Sequence, residues 1–542
     1  MYGASESSTS GPVHAVEGKM VIRRRSSAQF MPEVKDLVVK VTDVEMAKLP
    51  STEEQVVCKV YVLAACAALN SCNLGFTTGI MADAGPLVKH DFNLTIESYS
   101  LFMSTVNFMA ILGALFGSQI ADMIGRRKVF ITSSLVFIIG QLTLLSAPTY
   151  EILMLGRAVT GLGVGLGFNI DPMYISEIAP PVNRGWLVTW SETGIGIGVL
   201  LGFVVGWLLS DNSTTGIWRH MFAFGLIIPC LICILACSVM MESPRWLVRG
   251  NQTDEAAEVL KAIFPEGADV PEIVSEIEES LAVEERAYHA HGWSAIFCPG
   301  GGMRLMLLVG IGVVICQQLT GVDILLYYMQ DILLAADERR WDVLARFPVF
   351  LGTIKLTILL IAGPLFDRFG RRSMLLTSLL GCATALFALG GIFFSGHKHP
   401  EGVSVLLVMF FGFFSLGIGP ASKVLPPELL SNSVRAKGIC VASTTNRSLA
   451  AIVTFITLFI VRSIGWGALF AVLGVNCLLF ALLFHVFLPE TQGQTLEDIS
   501  AFFAEMARTP SLPSGTQPDP PHAQAKAQPQ PSPAHKDSFL EE

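Results

Sequence analysis

Several polar side chains stand inside segments otherwise apolar enough to cross a bilayer. Lys355 lies about ten residues into the run 345–366, which at about 1.5 Å per residue sets it ~15 Å deep in a helix. Glu192 falls early in the run 187–209, Gln317 and Gln318 midway along 305–333, and Asn446 and Arg447 within 437–461. A charge at the centre of a bilayer costs at least ~2.5–3.5 kcal/mol on insertion scales, so each such residue calls for a function or a partner. Together their chemistry is hydroxyl recognition. Glu192 and Asp323 accept, Lys355 donates, and the amides of Gln317, Gln318 and Asn446 do both. Tyr327 and Tyr328 add a ring face with a polar tip. Asp323 follows Gly321, where a helix can break and free its carbonyls, and Tyr327 lies one helical turn further on the same face. A plainer alternative is that Asp323 and Lys355 form an ion pair that only joins two helices.

The elements that must position these groups are membrane helices. Of 542 residues, 52% are hydrophobic and 15% charged, and mean hydropathy is +0.56. A chain so apolar needs a bilayer as solvent. The net charge of −9 argues against nucleic acid as a partner. Runs of bilayer-crossing length recur at 58–82, 101–121, 128–147, 151–175, 187–209, 221–241, 305–333, 345–366, 373–395, 403–427, 437–461 and 465–487. The expected fold class is an all-α membrane protein with twelve transmembrane helices. Residues 1–57 read as a disordered cytoplasmic tail without a cleavable signal peptide, 58–241 and 305–487 as two six-helix bundles, 242–304 as a charged helical linker, and 488–542 as a Pro-rich cytoplasmic tail. Cys230, Cys233 and Cys237 read as small packing residues of one span, not as a metal or redox site.

Loops after spans 2, 4, 8 and 10 carry the Lys and Arg residues, which puts them and both termini on the cytoplasmic side. The sequons at Asn93 and Asn212 then face outward.

The two halves repeat each other. Asp122, Gly125, Arg126 and Arg127 follow span 2; Asp367, Gly370, Arg371 and Arg372 follow span 8. Glu177 precedes Arg184 as Glu428 precedes Arg435, seven residues apart in both. Glu242 ends span 6 and Glu490 ends span 12. Parallel repeats of this kind place a substrate site between the halves near mid-membrane. The repeated charges read as a cytoplasmic ion-pair latch or, more simply, as topology signals and solvated helix ends.

These motifs, with Pro172-Met-Tyr174-Ile-Ser-Glu177, Glu242-Ser-Pro-Arg245-Trp246, Gln317-Gln318-Leu-Thr-Gly321 and Pro489-Glu490-Thr491-Gln-Gly493, resemble the sugar porter family of the major facilitator superfamily over residues 58–500. Glu192, Asp323 and Lys355 with Asn446-Arg447 are similar to the plant polyol and monosaccharide branch. The resemblance implies a secondary transporter of a sugar or polyol. It also implies that Glu192, Gln317, Gln318, Asp323, Lys355 and Asn446 occupy sugar-contact positions.

Two departures from the family pattern stand out. Proton-coupled members carry an acid where this chain has Thr77, while its usual partner persists as Arg157. Coupling is then absent or falls to Asp323, Glu192 or Asp171, the last also fitting a helix-end role. Lys423 stands where the family places a Trp beneath the sugar; it neutralises Glu192 or Asp171, or attracts an anionic substrate. The chain reads as no enzyme, with no cofactor and no metal, and as a monomer of the plasma membrane or an organelle membrane. The rival readings are a non-transporting sugar sensor and a carrier of a sugar acid or other organic anion.

Overall fold

The computed structural model describes residues 58–507, apart from 181–183, 211–215, 266–267, 292–293, 298, 397–398, 431–433 and 495. The expected N-terminal tail, the Pro-rich stretch beyond residue 507 and the sequon at Asn212 lie outside the described residues, as do the side chains of Arg184 and Asp367. Everything regular among the described residues is helical.

Eleven of these helices are long and apolar enough to cross a membrane. The last, Lys437–Phe487, has 51 residues and would be ~76 Å long as a single rod, far beyond the ~30 Å hydrocarbon core. Gly465, at φ 79° and ψ 166°, divides it into spans 11 and 12, which makes twelve spans among the described residues. The other spans are Cys58–Asp91, Ile96–Ile124, Arg126–Leu145, Tyr150–Ile178, Gly185–Leu208 and Ile217–Ser238 in the first half. In the second they are Gly301–Tyr327, Trp341–Phe366, Arg371–Ser395 and Pro400–Leu429. Side chains such as Ile139, Ile234, Leu360 and Leu482 remain exposed on the outside of the bundle, where lipid replaces water.

Lipid tails are as apolar as leucine, so helix association rests on close packing and polar contacts. Within the first half, span 1 packs on span 5, and spans 2 and 3 pack on span 4. Span 1 approaches span 5 until backbone meets backbone: a Cβ on Gly75 would strike the carbonyl of Ile195, and one on Gly198 that of Cys72. Across the halves, span 2 meets the span 11–12 helix, span 5 meets span 8, and span 1 meets span 7.

Helices Pro244–Arg249, Thr253–Ile263 and Val270–His291 lie between the halves in sequence. The structure adds a helix after span 12, Leu496–Ala507, in what reads from sequence as tail. Its Phe503 is fully buried, and Gly302 at the start of span 7 sits close against Ala504. In the turn between spans 7 and 8, Glu338 accepts hydrogen bonds from the backbone N, Nε and Nη2 of Arg340 at 2.8, 3.1 and 3.0 Å. That guanidinium holds the Glu338 carboxyl below the usual range.

Candidate functional site

Breaks in the spans build a cavity where the halves meet. Span 7 is interrupted by Gly321, at φ 84° and ψ 20°, between Gly301–Leu319 and Val322–Tyr327. The left-handed conformation suits glycine. It presents Gln317 and Gln318 from one segment and Asp323 from the next to the same space. Spans 4 and 10 break as well, at Asn169, next to Phe168, and at Gly417, upstream of Lys423.

The resulting cavity has a volume of about 60 Å³ in this conformation. The first half contributes Thr78, Asn107, Phe168 and Glu192 to its wall. The second contributes Gln317, Gln318, Asp323, Lys355, Lys423, Asn446 and Arg447. Asn446 donates to Gln317 Oε1 at 2.9 Å. Arg447 donates from Nε and Nη2 to Asn446 Oδ1 at 3.1 and 2.5 Å, and from Nη1 to Asn107 Oδ1 across the seam at 3.4 Å. Glu192 Oε2 and Gln318 Oε1 are buried without a hydrogen-bond partner.

Among the described residues, no ion pair joins any of the five charged groups in this wall. The alternative of a direct Asp323–Lys355 pair is thereby corrected: both side chains face the cavity, and neither neutralises the other by contact. Lys423 likewise makes no pair with Glu192 or Asp171. Its Nζ instead lies 3.8 Å from the centre of the Phe168 ring, and Arg447 Cζ lies 4.5 Å from the same centre.

Of the substrate residues expected from sequence, Glu192, Gln317, Gln318, Asp323, Lys355, Lys423 and Asn446 reach the cavity. Tyr328 does not, and that expectation is corrected. The helix breaks again at Tyr328, at φ −109° and ψ 22°, and its hydroxyl donates to the Thr454 carbonyl at 2.8 Å. Its neighbour Tyr327 comes nearer, with its hydroxyl 3.5 Å from Thr78 Oγ1. Arg157 is fully buried, donates to the Met103 carbonyl at 3.5 Å and packs on Phe102; its Nε and Nη1 have no partner. Thr77 turns its hydroxyl onto its own helix, 2.9 Å from the carbonyls of both Asn73 and Leu74. Asp171 starts the second segment of span 4 and takes hydrogen bonds from Asn70 (2.8 Å) and Ser71 of span 1.

Sequence reasoning missed a polar contact across the seam: Gln330 of the second half donates to Asp83 of the first, and both are buried. An acid and an amide inside apolar runs were the available signal. Asn107 and Phe168 in the cavity wall were missed too.

The repeated motifs form two matching clusters. Arg126 donates from Nε and Nη2 to Glu177 at 3.0 and 2.8 Å, and its Nη1 lies 2.9 Å from Asp122. Glu242 accepts the backbone N–H of Arg126 at 2.7 Å and of Arg127 at 3.2 Å, capping span 3. Arg127 donates to the carbonyls of Ala236 and Cys237 at the end of span 6. In the second half Glu490 accepts the backbone N–H groups of Arg371 and Arg372 at 2.7 and 3.1 Å, Arg371 reaches Glu428 at 3.3 Å, and Arg372 donates to the His485 carbonyl. Arg435 donates to the Leu430 carbonyl at 3.3 Å. The ion pairs Arg126–Asp122, Arg126–Glu177 and Arg371–Glu428 each tie neighbouring helices of one half.

Comparison with known proteins agrees with this architecture. The family model "Sugar (and other) transporter" matches residues 63–503. "Probable polyol transporter 4" of Arabidopsis thaliana is 33% identical over 448 residues, covering 82% of this chain and 85% of the relative. "D-xylose-proton symporter-like 2" of the same plant is 32% identical over 420 residues, covering 76% and 82%. Among solved structures, the proton:xylose symporter XylE bound to 6-bromo-6-deoxy-D-glucose superposes with a TM-score of 0.71 at 24% identity, over 82% of this chain and 99% of that one, a likeness of fold. With two halves of six helices, a charged cavity between them and the paired loop motifs, the chain belongs to the sugar (and other) transporter family.

Proposed function

We propose that this protein carries a polyhydroxylated solute of the sugar or polyol class across a membrane, by alternating access to the cavity between its halves. The observation that carries the reading is the cavity wall. Both halves supply it, and buried acceptors such as Glu192 Oε2 and Gln318 Oε1 stand there without protein partners. Unmade hydrogen bonds in a buried place are costly and are met by a ligand that both donates and accepts. Glu192, Gln317, Gln318, Asp323, Lys355, Lys423 and Asn446 form the substrate site in this reading, and transport needs no covalent chemistry. The names of the relatives, polyol and D-xylose transporters, support the same solute class.

The end bearing the Arg126 and Arg371 clusters is cytoplasmic, by its excess of Lys and Arg, and both termini lie there. Those clusters, with Arg184, Asp367 and Arg435, form the inner gate. The plasma membrane is the proposed residence. Uptake into proteoliposomes, tested with hexoses, pentoses, linear polyols and cyclitols, checks the reading. Ligand binding with no movement of any of them would instead make the protein a sensor.

Proton coupling is a second reading, favoured by two carboxyl groups, Asp323 and Glu192, that face the cavity free of ion pairs. Arg157 and Asp171 are the further candidates. Accumulation against a concentration gradient, driven by an imposed pH gradient, is the expected result; a gradient that changes only the rate of equilibration would leave facilitated diffusion.

A further inference from the structure

The charges in the cavity wall do not balance. Lys355, Lys423 and Arg447 face Glu192 and Asp323, and among the described residues none of the five is neutralised by an ion pair. The excess cation is concentrated. Lys423 and Arg447 converge on one ring, that of Phe168, at 3.8 and 4.5 Å from its centre. Like charges brought together repel, and a charge withdrawn from water is costly unless paired. The ring supplies part of the compensation through its two cation–π contacts. The hydrogen-bond partners of Arg447, Asn446 and Asn107, are neutral amides. Asp171, the remaining nearby acid, is outside the cavity wall, and Asn70 and Ser71 already occupy its two oxygens. Two cations against one aromatic ring, neither in an ion pair among the described residues, make a place for an anion.

Resting on the transporter reading above, we propose that the preferred solute is a polyhydroxylated monocarboxylate, an aldonate or uronate. Its carboxylate sits at Lys423 and Arg447 beside Phe168, and its hydroxyl chain lies along Glu192, Asp323 and the amides. One negative charge offsets the single excess cation. The opposite end of the solute meets the acceptors that a hydroxyl can donate to.

Gluconate and glucitol test this as a matched pair, because they share a six-carbon polyhydroxyl chain and differ chiefly at one end, carboxylate against hydroxymethyl. In proteoliposomes, labelled gluconate should enter at least ~10-fold faster than glucitol at equal low concentration, a preference of about 1.4 kcal/mol. Lys423→Gln should abolish that preference, and Lys423→Arg should keep most of it. Should a variant be poorly folded, thermal stabilisation of the wild-type protein in detergent gives a second readout: gluconate should raise Tm more than glucitol or the same concentration of chloride. Entry of glucitol with gluconate neither entering nor competing would overturn the anion inference and leave the sugar or polyol carrier intact. Equal preference in wild type and Lys423→Gln would overturn the assignment to Lys423. Neither solute binding nor entering, with the hexose and pentose panel also silent, would overturn both proposals.

Discussion

Glu242 seats its carboxylate 2.7 Å from the backbone nitrogen of Arg126, so that the acid ending span 6 caps the helix beginning span 3. The same contact recurs at 2.7 Å between Glu490 and Arg371. In each case a glycine makes room. Gly125 (φ 100°, ψ 156°) and Gly370 (φ 87°, ψ 151°) adopt a backbone that other residues avoid, and a Cβ on either would collide with the capping carboxylate.

Gly125→Ala and Gly370→Ala are therefore expected to destabilise the protein by about 1–3 kcal/mol from backbone strain alone, with further loss from the displaced cap. Thermal melting in detergent measures it. An unchanged Tm in both variants would mean that neither contact matters to folding.

The two latches should differ in strength although their motifs match. Arg126 and Glu177 are 3% and 8% exposed and joined by two hydrogen bonds, whereas Arg371 and Glu428 are 15% and 30% exposed at 3.3 Å. Removing one partner of a buried pair costs about 3–5 kcal/mol, and the cost falls as solvent reaches the pair. Glu177→Gln should accordingly lower Tm clearly more than Glu428→Gln. The reverse order would contradict the geometry.

Asp323 and Lys355 make no ion pair, so exchanging them should not restore function. Asp323→Asn is expected to slow uptake about 10–100-fold, the scale of one hydrogen bond to a charged group, with membrane abundance unchanged. The double variant Asp323→Lys with Lys355→Asp should be no better than either single one. Recovery by the swap would show that the pair matters only to itself.

At the seam, Gln330→Ala removes the donor to Asp83 and leaves a buried carboxyl group bare, at a cost of about 1–3 kcal/mol. Asp83→Asn keeps an acceptor for Gln330 and should cost less. Melting curves of the two variants compare them directly, and equal losses would mean that the hydrogen bond contributes little.

Much of this arrangement was legible in the chain because bilayer length, positive charge and a repeated motif are one-dimensional signals. Lys355 and Glu192 announced themselves as charges inside apolar runs, and Gly321 as a break. Azimuth around a helix was harder to read. Tyr327 and Tyr328 are adjacent, and which one turns toward the cavity depends on where span 7 breaks; the break at Tyr328 itself sends that hydroxyl to Thr454. Contacts between distant spans left still less trace. Asp83 and Gln330 lie 247 residues apart, and Arg447 and Asn107 lie 340 apart. Phe168 looks like any core aromatic until two cations are found over it.

The arginine clusters also bear on how such a molecule moves. Bonds such as Arg126–Glu177 and Arg371–Glu428 tie helix ends within each bundle and so stiffen two levers. Contacts that cross the seam include weaker ones: an amide to a carboxyl at Asp83, a guanidinium to an amide at Asn107, and aromatic edges such as Tyr99 against Tyr328. A modest push, of the size one bound solute delivers, is enough to tip a balance held by contacts of that kind.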